Sequence, residues 1–508
     1  MPSANQKLAQ SLDALHALQR DGRRVFQSQQ LKRLDRERLV KNGFLQALLP
    51  GWLISSTPGA RDGDTTSWFA SFWEFCTKYC EQRFAAEWHL SPEQSLLLHG
   101  EQSVVPKQVV VCSPKGTNNK IELPFGTSLY DLKQPQMPPA HELVLRDGLR
   151  LFSNGAALVR ASETLFKTNP IEARVSLESI RDASEVLSGL LDAGRSTIAG
   201  RLAGAFRHIH RASIADDILK TMKAAGYDVR ETNPFTHAGF DVAPPRLASP
   251  IVTRLQTLWE LARPIVLDVF PKSPGLPRAK VAYLQSVDDI YQTDAYNSLS
   301  IEGYNVTPEL IERVRFGDWN PDHDQADRQQ RDALAARGYW QAFQVVKANV
   351  ADIIAGANAG ELTKTSHRDW YRELFAPCAV AGLIRMTDLA GYRNNAVYLR
   401  NSRNVPPRSE VVRDAMPALF DLLENETSPA VRAVLGHWLF GYIHPYPDGN
   451  GRVARFLMNA MLASGGYPWT VVRLEDRGAY LSALDGASAD ANIRPFASFI
   501  AQSMKRKP

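Results

Sequence analysis

The segment "GYIHPYPDGNGRVARFLMNAML", from Gly441 to Leu462, joins two apolar helical stretches through a loop of polar and conformationally special residues. Pro445 and Pro447 prevent a continuous helix through this loop. Gly449 and Gly451 permit positive φ angles and let backbone N–H groups approach a ligand closely. The segment therefore predicts a pair of helices that is joined by a ligand-binding loop.

The chemistry of the loop points to phosphate. Free N–H groups at the start of the second helix make an anion nest, and the helix dipole strengthens it. Arg452 and Arg455 are three residues apart, so they share a helix face and can both bind phosphate oxygens. Asp448 would repel a phosphate unless a cation lies between them, and Mg²⁺ commonly takes one carboxylate together with phosphate oxygens. His444 is the one group in the loop that can act as a base at neutral pH.

A base, a metal-binding carboxylate and a phosphate nest together predict phosphoryl or nucleotidyl transfer. The loop contains no Ser or Cys nucleophile, so the attacking group is expected to belong to the acceptor, such as a protein hydroxyl. The alternative is a Gly-rich turn between helices whose His has only a structural role.

The loop resembles the signature of Fic-domain proteins, His-x-Phe-x-(Asp/Glu)-Gly-Asn-Gly-Arg-x-x-Arg, with Tyr446 where Phe is usual. This resemblance implies an enzyme that transfers AMP from ATP to a Tyr, Thr or Ser hydroxyl of a protein, with release of pyrophosphate. A relative that uses another nucleotide or diphosphate donor is left open, because the phosphate nest would be the same. The implied roles are general base for His444, Mg²⁺ ligand for Asp448, nest for Gly449, Asn450 and Gly451, phosphate ligands for Arg452 and Arg455, and nucleotide contacts for Asn459 and Tyr480.

A second motif lies upstream, in "TDAYNSLSIEGYNVT". Ser298 and Glu302 are four residues apart on one helical face, and Gly303 can end that helix. The simplest interpretation is a Ser–Glu pair at a solvated helix end. The motif also resembles the Fic inhibitory motif, (Ser/Thr)-x-x-x-Glu-(Gly/Asn), of the class with an N-terminal inhibitory helix, expected here around 285–303.

This second resemblance implies that Glu302 pairs with Arg455 and deprives the γ-phosphate of its partner. In some members of the class the same Glu helps water to remove AMP from the modified protein, so both directions of the reaction are expected to be open to this chain.

The rest of the C-terminal half, 251–508, is predicted to be a mainly α-helical bundle. "GYRNNAVYLRNSRNVPP" (391–407) alternates in hydrophobicity and is predicted to be a β-hairpin. It matches the flap of the Fic family, which implies that the target protein adds to it as an edge strand. "DVAPPRLASP" (241–250) holds three prolines and predicts a linker.

The first 60 residues carry nine Lys and Arg against four Asp and Glu, a balance of +5 that equals the net charge of the whole chain. Their order of helix, short helix, basic helix and strand predicts a winged helix-turn-helix-like segment, with Asp35 as N-cap of the basic helix. Arg36, Arg38 and Lys41 are candidates for DNA phosphates, and the stretch 20–45 for a DNA contact. A solvated basic face on a protein-docking module is the alternative.

Residues 61–240 predict a mixed α/β domain, and its aromatic-rich helix is expected in the core. By layout, 1–240 resembles the regulator-like region of AbiEi-type antitoxins. The alternative function is accordingly a DNA-binding transcriptional regulator whose Fic domain senses nucleotide or modifies itself.

Length and composition set the outer limits. A chain of 508 residues predicts about two to four domains. Four cysteines are too few for a disulfide scaffold, the N-terminus lacks the layout of a signal peptide, and no apolar run approaches the roughly 18 residues of a membrane span. A cytoplasmic protein is expected, and whether it forms a homodimer is left open.

Overall fold

The structure of the chain, a computed structural model, describes residues 3–59, 63–192, 194–235, 249–316 and 331–506. The chain divides into two units. One consists of Met1–Pro250 with Tyr398–Val405, and the other of Ile251–Val397 with Pro406–Pro508. Residues 241–248 of the predicted linker lie outside the described residues.

The first 60 residues place two helices beside a three-stranded antiparallel sheet with strand order β1-β3-β2. The apolar positions of α1 that recur at helical spacing turn one face inward, and Leu15 packs with Phe26, Leu39 and Leu53 in a small core. The elements are α1 (Ala4–Leu18), β1 (Val25–Gln27), α2 (Arg33–Lys41), β2 (Leu45–Leu49) and β3 (Trp52–Ser55).

Two expectations for this region are corrected. The first short helix is only a 3₁₀ turn, Ser28–Gln30, and the expected single strand is the β2–β3 hairpin. Asp35 is not the N-cap of α2, because Lys32 holds that position. Asp35 lies in the first turn, where it accepts a hydrogen bond from Ser11 Oγ of α1 at 2.7 Å and so ties the two helices together. A winged-helix role for this region stays a prediction.

The rest of this unit is a mixed α/β region, with a four-stranded sheet in the order β4-β5-β7-β6 and a separate β8–β9 hairpin. The aromatic-rich helix α3 is core, as expected: Trp68, Phe72 and Phe75 are each at most 1% exposed. The strands are β4 (His89–Leu90), β5 (Gln108–Ser113), β6 (Asn119–Glu122), β7 (Ser128–Lys133), β8 (Leu143–Arg146) and β9 (Leu149–Phe152). The helices are α3 (Thr66–Phe84), α4 (Pro92–His99), α5 (Asn154–Arg160), α6 (Thr164–Thr168), α7 (Pro170–Glu178), α8 (Ser184–Leu191), α9 (Ser196–His208) and α10 (Ala212–Ala224).

The second unit is helical, in agreement with the mainly α expectation. Its helices are α11 (Pro250–Val269), α12 (Lys280–Ile301), α13 (Pro308–Phe316), α14 (Arg331–Ala355), α15 (Ala359–Val380), α16 (Val412–Asn425), α17 (Pro429–Ile443), α18 (Asn450–Ala463), α19 (Arg477–Asp490) and α20 (Arg494–Ser503). The helix pair α17–α18 forms the centre of the bundle: most residues of both helices are buried, so the loop between them is held at both ends.

The segment 391–407 does not form the predicted β-hairpin. Its described residues contain no strand, and Asn404 makes one isolated bridge, to Val104. The base of the segment is held by a side chain instead of by strand pairing. Buried Arg393 donates from Nη1 to Asn395 O at 2.9 Å and from Nη2 to Pro407 O. Pro406 and Pro407 have no N–H to donate to a ladder, which limits strand pairing further.

All four cysteines are buried and free. In the part of the chain that the structure describes, none of the helices has both the length and the apolar character that a bilayer crossing requires.

Candidate active site

The loop between α17 and α18 is closed by its own side chains. Helix α17 ends at His444, whose left-handed backbone (φ 51°, ψ 61°) turns the chain out of the helix. Gly449 (φ 77°) precedes the first residue of α18. Between them, Asn450 Oδ1 accepts from Tyr446 N at 2.9 Å and Asn450 Nδ2 donates to Tyr446 O at 2.8 Å. The Asn450 side chain therefore braces the loop.

His444 is in the state that a general base requires. Its Nδ1 lies 3.2 Å from Gly441 O, and because a carbonyl oxygen only accepts, the proton of the neutral ring is on Nδ1 and the lone pair on Nε2. Burial, together with the nearby charge of Arg393, lowers the pKa of His444 to about 4. The imidazole is thus neutral at pH 7.

A carboxylate already lies on the first turn of α18. A Cβ atom at Gly451 would be 2.3 Å from Glu302 Oε1, so the absence of a side chain at this position makes room for the Glu302 carboxylate. The N-cap residue Gly449 offers no side-chain oxygen, and helix geometry leaves the first N–H groups without partners inside the helix. The start of α18 therefore accommodates an anion, here one supplied by the chain itself.

Arg455 holds that carboxylate. Its Nη2 donates to Glu302 Oε1 at 2.7 Å and to Ser298 O at 3.1 Å, while Nε donates to Ser298 Oγ at 2.9 Å. Burial alone would raise the pKa of Glu302, but the charges of Arg455 and Arg452 outweigh it and hold that pKa below its usual value. Gly303 (φ 88°) follows the end of α12, as the motif predicts.

Arg452 is a buried cation with unused donors. Its guanidinium lies over the rings of Tyr304 (5.2 Å) and Phe375 (4.8 Å), and its side chain is 1% exposed. Within the described part of the chain, its Nε and Nη2 have no hydrogen-bond partner, although Nη2 is 3.6 Å from Asp448 Oδ2. Buried donors of this kind are costly unless a ligand satisfies them.

Asp448 is the acidic residue of the loop, and it is exposed to solvent. Its side chain is 62% exposed, and its Oδ1 accepts from Gly449 N at 2.6 Å. No group of three or more His, Cys, Asp or Glu side chains is arranged to hold a metal ion among the described residues. A cation here would therefore depend on Asp448 and on oxygens of the ligand, which fits the weakly held Mg²⁺ of nucleotide sites.

The two predicted nucleotide contacts lie deeper in the fold. Asn459 uses both ends of its amide on Thr470, accepting from N at 2.7 Å and donating to O at 3.1 Å. Tyr480 is 2% exposed, and its hydroxyl is 2.7 Å from His437 Nε2. Both side chains brace neighbouring helices and loops in this structure, and their contact with a nucleotide stays a prediction.

Sequence reasoning missed Asp294. It lies four residues before Ser298, on the same face of α12, and its Oδ2 accepts from Tyr339 Oη at 2.6 Å. Both side chains are buried, and burial raises the pKa of Asp294 to about 6. The spacing of four residues from Asp294 to Ser298 to Glu302 was the available signal.

Comparison with known proteins identifies relatives that are similar to part of this chain. The chain is 37% identical over 131 residues to "Protein adenylyltransferase Fic" of Nematostella vectensis, which is 25% of this chain and 30% of that protein. It is 32% identical over 114 residues to "Protein adenylyltransferase fic-1" of Caenorhabditis elegans, which is 22% of each protein. The match thus covers less than a third of the length of these curated relatives.

A solved structure, Fic-1 (aa134–508) from C. elegans, aligns over 68% of this chain and 96% of its own, with 16% identity and a TM-score of 0.37. The family match is confined to one part of the chain, which contains α16, α17, the loop and nearly all of α15 and α18. Residues 361–462 match the Fic/DOC family.

Proposed function

We propose that this chain is a protein adenylyltransferase that moves AMP from ATP to a hydroxyl group of a protein and is inhibited by its own Glu302. Two kinds of support carry the proposal. The relatives named as protein adenylyltransferases match the region of the catalytic loop. The loop brings a neutral imidazole, an exposed carboxylate and two buried arginines to the start of one helix.

One observation carries most weight. The Glu302 carboxylate, held by Arg455 over Gly451, is an anion bound at the place where the proposed reaction needs a phosphate. A site that binds this carboxylate has the donors and the positive charge to bind a phosphate of ATP in its place.

The chain's own residues divide the reaction between them. The lone pair of His444 Nε2 takes the proton of the target hydroxyl, and the oxygen then attacks the α-phosphorus. A new O–P bond forms, the bond from the α-phosphorus to the bridging oxygen breaks, and pyrophosphate leaves with that oxygen. Bound triphosphate would raise the pKa of His444 above its present value of about 4, because a neighbouring negative charge favours the imidazolium that forms.

In this proposal Arg452, Arg455 and Asp448 bind ATP, which donates the AMP. Arg452 has unsatisfied donors for phosphate oxygens, and Arg455 becomes available for the γ-phosphate once Glu302 leaves. Asp448, which is 62% exposed and whose Oδ2 lies 3.6 Å from Arg452 Nη2, would hold Mg²⁺. When bound, Mg²⁺ would neutralise part of the charge of the triphosphate.

The test measures label transfer from α-labelled ATP to protein. We expect Glu302→Gly to increase incorporation by about 100-fold or more, because a charge-assisted contact to Arg is worth a few kcal/mol and about 1.4 kcal/mol is tenfold in rate. Glu309→Ala, which removes an exposed carboxylate on α13, is the matched control and should leave the rate unchanged.

Adding His444→Ala to Glu302→Gly should abolish transfer, while ATP binding persists. Transfer that survives His444→Ala, or a Glu302→Gly rate equal to that of the wild type, would contradict the proposal.

The reverse reaction is part of the proposal, because Glu302 Oε1 lies at the phosphate nest and can orient water there. AMP-modified protein should lose its AMP faster with the wild-type chain than with Glu302→Gly. Equal release rates would remove this role.

The structure offers less support for a DNA-binding regulator. Arg38 Nη1 donates to Lys7 O at 3.0 Å and to Ser11 Oγ at 2.5 Å, and Arg36 Nη1 donates to Ser28 O at 3.2 Å. Of the three cations suggested for DNA phosphates, Lys41 alone has an exposed side chain. The flap-borne target contact, the homodimer and the cytoplasmic location stay predictions.

A further inference from the structure

The helical unit has a cavity beside the catalytic loop. A cavity of about 860 Å³ is lined by residues of α15 and α16, by the base of the 391–407 segment and by Pro447 of the loop. Arg393, in its wall, donates from N to Pro445 O at 2.8 Å and from Nε to His444 O at 2.7 Å. The wall of this cavity is therefore continuous with the backbone that carries the proposed general base.

The charge of the lining is strongly positive. Five cations face one carboxylate, Asp388; the cations are Lys364, Arg368, Arg385, Arg393 and Arg413. Two of the five have carboxylate partners: Lys364 Nζ is 2.8 Å from Asp421 Oδ1, and Arg385 Nη2 is 2.7 Å from Asp388 Oδ1. Arg393 is committed to backbone carbonyls.

Arg368 and Arg413 differ from the other three. In the part of the chain that the structure describes, neither forms an ion pair with a carboxylate. Arg368 lies over the ring of Tyr392 at 5.0 Å, and Arg413 Nη2 donates to Asn394 Oδ1 at 2.6 Å. Both side chains are exposed, so each keeps donors that a carboxylate could take in a bidentate pair.

We propose that this cavity binds an acidic side chain of the target protein, close in sequence to the hydroxyl that receives AMP. The inference rests on the proposed function and adds a substrate class to it: hydroxyl residues in acidic segments. Two uncompensated guanidiniums supply the charge complementarity, and the ring of Phe420 with Pro417 and Pro447 supplies an apolar wall for the aliphatic part of a Glu side chain.

A peptide fits this cavity better than a nucleic acid does. Binding to a phosphate backbone needs a row of cations along an extended surface. Here, among the described lining residues, two cations lack a carboxylate partner, and they border a cavity whose wall also contains Asp388 and prolines.

The first test is direct binding to the full-length chain. A fluorescein-labelled hexaglutamate peptide should bind, with an affinity that falls as salt is added, whereas hexalysine should not. The double variant Arg368→Gln/Arg413→Gln should weaken hexaglutamate binding about tenfold or more. Arg372→Gln is the matched control, since Arg372 is also on α15 but pairs with Asp369 outside the cavity, and it should leave affinity unchanged.

Three results would overturn the proposal: no hexaglutamate binding, equal binding by the double variant, or tighter binding of a dT12 oligonucleotide than of hexaglutamate. Folding of each variant is checked by its affinity for MgATP in the Glu302→Gly background, which should be the same for all.

The second test concerns turnover. In the Glu302→Gly background, kcat/KM for a Thr peptide with flanking Glu should exceed that for the same peptide with Gln, and the double variant should abolish this preference. If no protein or peptide accepts AMP while charge-dependent hexaglutamate binding persists, the proposed function fails and the pocket stands. If AMP is transferred without a preference for the peptide with flanking Glu, the proposal for the cavity is wrong and the proposed function stands.

Discussion

Tyr446 is the position where the loop departs from the Fic signature, and the structure shows how the fold accommodates it. Its ring is fully buried and stacks on Tyr371 with centroids 3.9 Å apart, so the aromatic anchor of the loop is preserved. A buried tyrosine hydroxyl usually has a hydrogen-bond partner. Among the described residues, Tyr446 Oη has none.

We therefore expect Tyr446→Phe to stabilise the chain by about 1 kcal/mol, because it removes a buried oxygen that makes no hydrogen bond. The rate of AMP transfer in the Glu302→Gly background should be unchanged, since the ring remains. Urea unfolding with a fluorescence readout measures the difference. Tyr371→Phe is the matched control: it removes a hydroxyl that donates to Asp388 O at 2.8 Å and should destabilise the chain by a similar amount. A loss of stability on Tyr446→Phe would show that the hydroxyl has a partner.

The two glycines of the nest show how far a single residue can be interpreted from sequence. The positive φ of Gly449 was predictable, because the loop must turn directly into a helix at this residue. The role of Gly451 followed only in part. The sequence predicted close approach by a ligand, whereas the space is filled by Glu302, which lies 149 positions earlier in the chain.

At the scale of elements, α12 and its C-cap residue Glu302 present three polar side chains on one face, and these side chains share two partners. Glu302 and Ser298 bind Arg455, and Asp294 binds Tyr339 of α14. The motif at the end of the helix was recognisable because its spacing is local. Asp294 was not, because its partner is 45 residues away and burial is set by packing of α12 against α14.

The protonation of Asp294 should make stability depend on pH. Its pKa is raised to about 6 by burial, against about 3.9 for an unfolded chain. Between these values the folded chain binds a proton that the unfolded chain has lost, so the free energy of unfolding falls as pH rises from about 4 to about 6 and stays lower above that. Two pKa units correspond to about 3 kcal/mol as an upper bound.

Asp294→Asn keeps an acceptor for Tyr339 and removes the charge, so it should remove this part of the pH dependence. The difference in free energy of unfolding between variant and wild type should grow from pH 4 to pH 7 in favour of the variant. Asp289→Asn is the control on the same helix, because Asp289 is exposed. A constant difference across this range would mean that Asp294 is ionised throughout.

Other elements differed from expectation for local reasons. Helix α15 begins at Ala359, because Asn358 Oδ1 accepts from Gly360 N and Glu361 N and caps the first turn. The segment 391–407 has the alternation of a strand, yet a hairpin requires two pairing edges, and the structure fixes its base through Arg393. Alternating hydrophobicity alone does not show whether a segment pairs with another strand or is held by side-chain hydrogen bonds.

At the scale of the whole chain, the Gly-containing turns 115–119 and 444–451 each lie beside a carboxylate of the chain itself. In the N-terminal unit, Asp131 Oδ1 accepts from Thr117 N at 3.2 Å and from Asn119 N at 2.7 Å. Asp131 is fully buried and also pairs with Arg83 at 2.9 Å. Glu302, in the helical unit, is 29% exposed and follows the last residue of a helix. The first carboxylate is fixed by its strand, whereas the proposed function requires the second to be released from Arg455.

Hydrogen exchange with mass spectrometry can distinguish the two turns in one experiment. On addition of MgATP to the Glu302→Gly chain, exchange should slow in residues 444–455 and stay unchanged in 113–133, because the turn amides there are already bonded to Asp131. The wild-type chain should show a smaller effect, since Glu302 competes for the same site. Glu302→Gly/His444→Ala should keep the protection, because His444 serves the chemistry and not the phosphate nest. Slower exchange in 113–133 without any change in 444–455 would move nucleotide binding to the other unit and overturn the proposed active site.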